Sequence, residues 1–178
     1  MEKIQLDLTD RKILADLDKN CRIHNSILAK KVNKSREAVK YRIQQLQKNG
    51  IIQNFITSID PNKLGYYMFK VYLKLENIPD EREKFFDELK HNKDIYWIGI
   101  SDGVFDCVFA MLSKSITEYY EKINSLLSRW DYLIISKVLG TMVGTWQFNK
   151  KFFLGDKNGE FVNFGSNIIN NQVDELDY

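Results

Sequence analysis

The sequence predicts an α+β fold in two parts, and three observations lead to this prediction. Three apolar patterns of helical period follow one another in the first fifty residues. Beyond residue 65, strand-like and helix-like patterns follow in the order β-α-β-β-α-β. Positive charge lies at the front, because residues 1–60 carry 12 Lys and Arg against 7 Asp and Glu, whereas the rest carry 14 against 17. We therefore expect an anion-binding domain followed by a mixed domain.

Composition argues against several classes of protein. No apolar run approaches the ~20 residues of a membrane span, and the charged first ten residues do not resemble a secretory signal, so we expect a cytoplasmic protein without membrane contact. Cys21 and Cys107 form no C-x-x-C and are expected to be buried, reduced thiols. His24 and His91 are the two histidines, and no nucleotide-binding, metal-binding or catalytic motif accompanies them. We expect no catalytic residue, no metal and no cofactor.

The first helix is expected to begin at Thr9, whose hydroxyl can cap it, and to end near Asn20. Its buried face would hold Ile13, Leu14 and Leu17.

A second, short helix is expected over about residues 25–32, with Ile27, Leu28 and Val32 buried. Asn33 follows where the chain must turn sharply, and Asn tolerates the left-handed conformation better than most residues.

A third helix is expected to be capped by Ser35, to bury Val39, Ile43 and Leu46, and to end at Gly50. The tight turn before it is typical of a helix-turn-helix. Two short strands after it, Ile51-Ile52 and Phe55–Ile59, would form a wing.

The exposed face of the third helix would carry cations, amides and a phenol, the groups that bind phosphates and base edges in a major groove. Double-stranded DNA is therefore the expected partner. Arg42 could equally stabilise the fold against a neighbouring helix. The candidates for phosphate contacts are Lys30, Lys31, Lys34, Lys40, Arg42 and Lys48. The candidates for base contacts are Arg36, Glu37, Lys40, Tyr41 and Gln44, with Ser35 at the start of the helix.

The β-α-β-β-α-β order beyond residue 65 predicts a ferredoxin-like domain, with an antiparallel sheet and both helices on one face of it. Its other sheet face would expose aromatics such as Tyr72 and Trp97, so we expect a two-fold homodimer. The first expected elements are a strand about Phe69–Leu75 and a helix from Pro79. Strands Ile95–Ser101 and Val104–Met111 follow, joined by a two-residue Asp102-Gly103 turn. The last elements are a helix with a Ser115–Glu118 capping box and a strand from Ile134 to Phe148.

Three segments resemble the winged-helix half of the leucine-responsive regulatory protein (Lrp/AsnC) family, in its archaeal-type branch. They are Leu8–Leu14, Asn20–Ile23 and Ser35–Ile52, the last with the pattern S-x-x-x-V-x-Y-R-I-x-x-L-x-x-x-G-I-I. The resemblance implies a sequence-specific transcription regulator whose second domain, of RAM/AsnC type, forms dimers, often tetramers or octamers, and responds to an amino acid or another small molecule. One departure is Asn33-Lys34, where the family usually has Gly and an apolar residue.

The resemblance also implies an effector site. The family's G-x-[aromatic]-D turn corresponds to Gly103, Phe105 and Asp106, although Asp106 could instead only hold the turn in place. Two other functions stay open: an Lrp-like sirohaem (tetrapyrrole) decarboxylase, and an adaptor that binds protein rather than DNA.

The expected domain boundaries follow from these assignments. The polar tail resembles the start of the chain weakly and is interpreted as the stub of a second winged helix. The domains are 1–59 for the winged helix-turn-helix, 60–65 for a linker, 66–154 for the ferredoxin-like domain and 155–178 for the tail.

Overall fold

The computed structural model describes residues 4–155 and 161–164. The described residues form two compact units. The first holds residues 4–58 and, from later in the chain, 146–155 and 161–163. The second holds residues 59–145, with residue 164. This division differs from the predicted domain 66–154 at its end, because residues 146–154 group with the first unit.

Three helices form most of the first unit, at the predicted places. The first is capped by Asp7 rather than by Thr9: the Asp10 amide donates to the Asp7 carboxylate at 2.7 Å, and the Asp7 amide donates back to the Asp10 carboxylate at 3.3 Å. The helix bounds are Leu8–Lys19 for α1, Asn25–Val32 for α2 and Arg36–Lys48 for α3.

The core of the first unit lies between these helices. Ile27, predicted to be buried, is 46% exposed, and Ala29, two positions later in α2, is buried instead. Ile43 is half-buried against the core, as its place in the predicted stripe requires. The buried residues are Ile13, Leu14, Leu17, Leu28, Ala29, Val32, Val39 and Leu46.

The predicted wing strands after α3 are wrong, because the described residues 49–59 contain no strand. Ile51 and Ile52 instead donate their amides to the Leu46 carbonyl and pack against the helical core. The strand pair in this part of the fold comes from later in the chain: β5, Thr145–Phe148, pairs with β6, Phe161–Phe164.

The tail predicted over 155–178 is thus not uniformly irregular, because it contains β6. The rest of it, including the segment interpreted as the stub of a second winged helix, lies outside the described residues apart from Gly155.

The second unit is a four-stranded antiparallel sheet with strand order β2-β3-β1-β4, which confirms the predicted ferredoxin-like topology. Its core lies between one sheet face and both helices, and every second residue of β1 from Phe69 to Leu75 is buried in it. The element bounds are Tyr67–Leu75 for β1, Pro79–His91 for α4, Ile95–Ile100 for β2, Cys107–Ser113 for β3, Ile116–Leu127 for α5 and Ile134–Thr141 for β4.

Three connections in the second unit differ from the predictions. The predicted linker 60–65 contains a 3₁₀ turn, Pro61–Leu64, whose Asn62 amide donates to the Asp60 carboxylate at 3.0 Å. A six-residue loop, 101–106, replaces the predicted two-residue turn between β2 and β3. The predicted last strand is interrupted at 142–144, so that β4 stays in this sheet and β5 leaves it.

The cap of α5 also differs in part from the predicted box. Ser115 Oγ accepts from the Glu118 amide at 3.1 Å, as predicted, but the Glu118 carboxylate accepts from the Lys114 amide at 2.8 Å rather than from the Ser115 amide. Among the described residues, no helix combines the length and the apolar character that crossing a bilayer would require.

Candidate nucleic-acid interface

The turn between α2 and α3 sets the direction in which α3 leaves the core. Asn33 ends α2 with φ 52° and ψ 53°, the left-handed conformation that the sequence predicts there. Ser35 then caps α3, since its Oγ accepts from the Ala38 amide at 3.1 Å. Both residues therefore have local structural roles, and Ser35, also a predicted DNA contact, already uses its hydroxyl as an acceptor.

The two faces of α3 differ sharply in chemistry and exposure. Val39 and Leu46 are buried in the core. The opposite face is exposed to solvent and offers cations, amides and a phenol, with Tyr41 62% exposed. The exposed residues of α3 are Arg36, Glu37, Lys40, Tyr41, Gln44, Gln47 and Lys48. All five residues predicted to contact bases therefore share one accessible helix face.

The remaining predicted phosphate contacts lie in two different environments. Lys30 and Lys34 are exposed at the end of α2 and in the turn, and Lys48 is exposed at the end of α3. Lys31 is exposed too, but its ammonium is paired with the Asp16 carboxylate of α1. Much of the charge of Lys31 is thus compensated within the fold.

Arg42 differs from the other candidates because its guanidinium is only partly exposed and is engaged with α1. One of its terminal nitrogens lies 2.7 Å from Asp7 Oδ2 and 2.8 Å from Asp10 Oδ1. Hydrogen bonds to Asp10 and then to Asp7 raise the pKa of Arg42. The pKa of Asp7 is lowered, first by the Asp10 amide and then by Arg42. This ion-pair cluster joins the start of α1 to the middle of α3.

The three candidate effector residues lie together in the loop between β2 and β3, and Asp106 holds that loop to β1. Asp106 is 7% exposed, and its Oδ2 accepts from the Leu75 amide at 2.8 Å. Lys74 Nζ lies 3.3 Å from Oδ1, and an Arg82 nitrogen lies 3.2 Å from Oδ2. The Leu75 amide, then Lys74 and Arg82, lower the pKa of this carboxyl. Its acceptor positions are thus directed into the fold.

The other two candidate effector residues, Gly103 and Phe105, also contact β1. The Gly103 carbonyl accepts from Lys74 Nζ at 2.9 Å, and the Phe105 ring lies 5.5 Å from the Tyr72 ring, centroid to centroid. Sequence reasoning missed Lys74 and Arg82. The alternation of Lys with apolar residues in β1 predicts that Lys74 lies on the face of the sheet away from the core. It does not indicate that Asp106 is its partner.

In the part of the chain that the structure describes, no group of three or more His, Cys, Asp and Glu side chains is arranged to hold a metal ion.

Comparison with known proteins identifies the first unit. Residues 6–53 match the family of winged helix-turn-helix DNA-binding domains. The chain is also similar to the proline dehydrogenase transcriptional activator of Rhodobacter capsulatus, with 30% identity over 130 residues that cover 69% of this chain and 81% of the relative. The helix-turn-helix predicted from the sequence is therefore confirmed.

Solved structures have the same two-part fold. AsnC from E. coli matches with a TM-score of 0.68 and 20% identity, covering 79% of this chain and 93% of AsnC. A transcriptional regulator from Neisseria meningitidis, solved in complex with L-Met, matches with a TM-score of 0.69 and 21% identity, covering 78% of this chain and 90% of that protein. The chain belongs to the Lrp/AsnC family and is a DNA-binding transcription regulator.

Proposed function

We propose that this regulator acts as a homodimer that binds a pseudo-palindromic duplex, with α3 of each copy in the major groove. One observation carries the proposal: α3 buries its aliphatic side and leaves Arg36, Lys40, Tyr41 and Gln44 exposed on the other. A helix presented in this way can lie in a major groove, where Arg, Lys and amide side chains pair with base edges.

The predicted contacts divide by their surroundings. Arg36, Glu37, Lys40, Tyr41 and Gln44 would read bases, because they share the exposed face of α3. Lys30, Lys34 and Lys48 would bind phosphates from the two ends of the motif. Lys31 and Arg42 would contribute less, because each is already paired with a carboxylate of α1.

The homodimer would form through the sheet face that α4 and α5 leave uncovered. Trp97 and Val138 are 48% and 50% exposed on this face, beside Tyr72. Lys70 lies over the Trp97 ring at 5.7 Å. Covering such a face with a second copy removes apolar area from water, and a two-fold axis would let two α3 helices reach grooves about 34 Å apart.

An amino-acid effector is proposed to act on the loop 101–106. The support is that Gly103, Phe105 and Asp106 lie together there and that Asp106 ties the loop to β1 and α4. The Neisseria neighbour was solved with L-Met, which is a property of that protein. We further propose regulation by binding alone, without catalysis, so that adding a sirohaem-type tetrapyrrole should leave its absorption spectrum unchanged.

Selection from random duplexes, followed by a gel shift on the selected sequences, tests the main proposal. We expect enrichment of an inverted repeat. Recovery of single, asymmetric half-sites, or no duplex binding at low ionic strength, would contradict it.

Two substitutions separate base contacts from phosphate contacts. Gln44→Ala should relax sequence preference, because it removes an amide from the exposed face of α3. Lys34→Ala should weaken binding to all duplexes alike and reduce the slope of log K against log salt by about one. Lys90→Ala, at an exposed lysine of the second unit, is the matched control and should change neither. Identical behaviour of the first two variants would mean that contacts were assigned wrongly.

A further inference from the structure

The chain returns to the DNA-binding unit after the sheet of the second unit is complete. We propose that this returning segment, residues 146–155 with 161–163, is a clasp that holds α1 in place and thereby positions the recognition helix α3. The inference rests on the proposed role of α3. It assigns positioning roles in DNA binding to Asp18, Lys150 and Phe153, none of which is expected to touch DNA.

The first attachment of the clasp is polar. Lys150 donates to both oxygens of one carboxylate, its backbone amide to Asp18 Oδ2 and its ammonium to Asp18 Oδ1 at 2.7 Å. The Asp18 side chain is 16% exposed and the Lys150 side chain is 59% exposed, so the carboxylate is shielded from solvent while the ammonium reaches it from the surface. Asp18 lies in the last turns of α1. The contact therefore fixes the C-terminal half of that helix to the clasp.

The second attachment is apolar. Lys150 precedes the 3₁₀ turn Lys151–Phe153, and the Phe153 amide donates to the Lys150 carbonyl at 3.2 Å. The Phe153 side chain is half-buried against the helical core of the first unit. Its neighbour Phe152, in contrast, is 75% exposed. The turn thus directs one of two adjacent aromatic rings into the core and leaves the other largely exposed, with the two ring centroids 4.5 Å apart.

These attachments matter because the helical part of the unit is small. Among the residues that the structure describes, eight buried ones form its core, and residues 49–59 add no strand to it. Domains of about 60 residues bury a smaller share of their surface than larger domains do, so one further aromatic side chain is a substantial addition. The clasp adds that side chain and a strand pair, β5 with β6.

A continuous set of contacts leads from the clasp to α3. Asp18 of α1 binds Lys150, Asp16 of α1 binds Lys31 of α2, and Asp7 and Asp10 at the start of α1 bind Arg42 of α3. Helix α1 is therefore tied at one end to the recognition helix and towards the other end to the clasp. Releasing the clasp should loosen α1 and lower the fraction of molecules in which α3 is correctly oriented, which lowers the apparent affinity by the same factor.

The test uses the full chain and the adjacent pair of phenylalanines. Phe153→Ala should reduce hydrogen-exchange protection in α1 and α3 and weaken DNA binding about tenfold. The slope of log K against log salt should stay unchanged, because no phosphate contact is removed. Phe152→Ala, the matched control, should leave protection and affinity within about twofold of the wild type. Phe153→Leu should restore most of both, which separates loss of packing from a general failure to fold.

The polar attachment is tested in the same way. Lys150→Ala removes the ammonium contact but keeps the backbone amide that donates to Asp18, whereas Asp18→Ala removes both contacts. Asp18→Ala should therefore weaken binding more than Lys150→Ala, and the double variant should be no weaker than Asp18→Ala, because the Lys150 ammonium acts only through Asp18. A flatter salt slope in Lys150→Ala would overturn the proposal by making Lys150 a phosphate contact. Equal effects of Phe152→Ala and Phe153→Ala would overturn it as well. Because hydrogen exchange is measured without DNA, it tests the clasp even if the proposed DNA contacts of α3 are wrong.

Discussion

Asp106 illustrates how a single side chain can organise a loop. Its carboxylate accepts from a backbone amide of β1 and lies within 3.3 Å of two cations, Lys74 and Arg82. Replacing it with Asn keeps the shape but leaves both cations without their anionic partner. We expect Asp106→Asn to lower the free energy of unfolding of the second unit by about 1–3 kcal/mol.

Hydrogen exchange at the Leu75 amide measures this effect directly, since that amide donates to Asp106. Asp102→Asn, in the exposed part of the same loop, is the matched control and should leave the exchange rate unchanged. Equal protection of the Leu75 amide in the wild type and in Asp106→Asn would show that the carboxylate does not hold the loop.

The same residue predicts a dependence of stability on pH. The Leu75 amide, with Lys74 and Arg82, holds the pKa of Asp106 below its ordinary value in the folded state. A carboxyl of this kind contributes its full stability above its unfolded pKa and loses it as the pH falls through the folded pKa. Below about pH 4, wild-type stability should therefore fall more steeply than that of Asp106→Asn. Parallel curves from urea titrations at several pH values would contradict this.

Individual residues could be predicted only where their role is local. Asn33 and Ser35 were assigned correctly because turn conformation and capping depend on neighbours in sequence. Cys21 was expected to be buried but is exposed, and the ion pair of Asp18 was not predicted. Burial and ion pairing depend on residues far along the chain. Asp18 and Lys150 lie 132 positions apart, and nothing in either local pattern indicates the other.

At the scale of elements, the pairing of α1 with α3 through Arg42 makes a specific prediction. Arg42→Ala should lower the free energy of unfolding of the first unit by about 0.5–1 kcal/mol, a small value because Asp7 is half exposed. Arg42→Lys should recover part of it, since the ammonium keeps the positive charge but not the planar, rigid geometry of the guanidinium.

The salt dependence of DNA binding decides which role Arg42 has. If it positions α3, Arg42→Ala should leave the slope of log K against log salt unchanged, whereas Lys34→Ala flattens it by about one. An equal flattening in both variants would make Arg42 a phosphate contact instead.

Helices were predicted better than strands because their signals are contained within one segment. The bounds of α2 and α3 follow from apolar period, caps and the Asn-Gly end. A strand forms only where a second strand is available for backbone pairing. Phe55–Ile59 has a suitable composition but pairs with no strand among the described residues, whereas Thr145–Phe148 pairs with Phe161–Phe164. The break at 142–144 could not be predicted for the same reason, since the strand pattern continues across it.

At the scale of the whole molecule, the uncovered sheet face predicts the state of association. Val138 lies on it opposite Tyr72 and is half exposed, so a charge there would be buried in the proposed homodimer. Val138→Asp should convert dimers to monomers, because an unpaired buried carboxylate costs more than the contact contributes. Ile116→Glu, on an exposed position of α5, should leave the mass unchanged. Sedimentation equilibrium distinguishes the two, and an undiminished dimer in Val138→Asp would move the interface elsewhere.

The two cysteines of the chain differ in accessibility. Cys21 is exposed just after α1, whereas Cys107 is buried in β3, where burial raises the pKa of its thiol to about 12. Alkylation requires a thiolate that a reagent can reach, so a maleimide dye should couple at Cys21 alone. The unmodified protein thus carries a natural attachment point for a fluorophore on its DNA-binding unit, and operator binding could be followed by anisotropy without engineering the sequence.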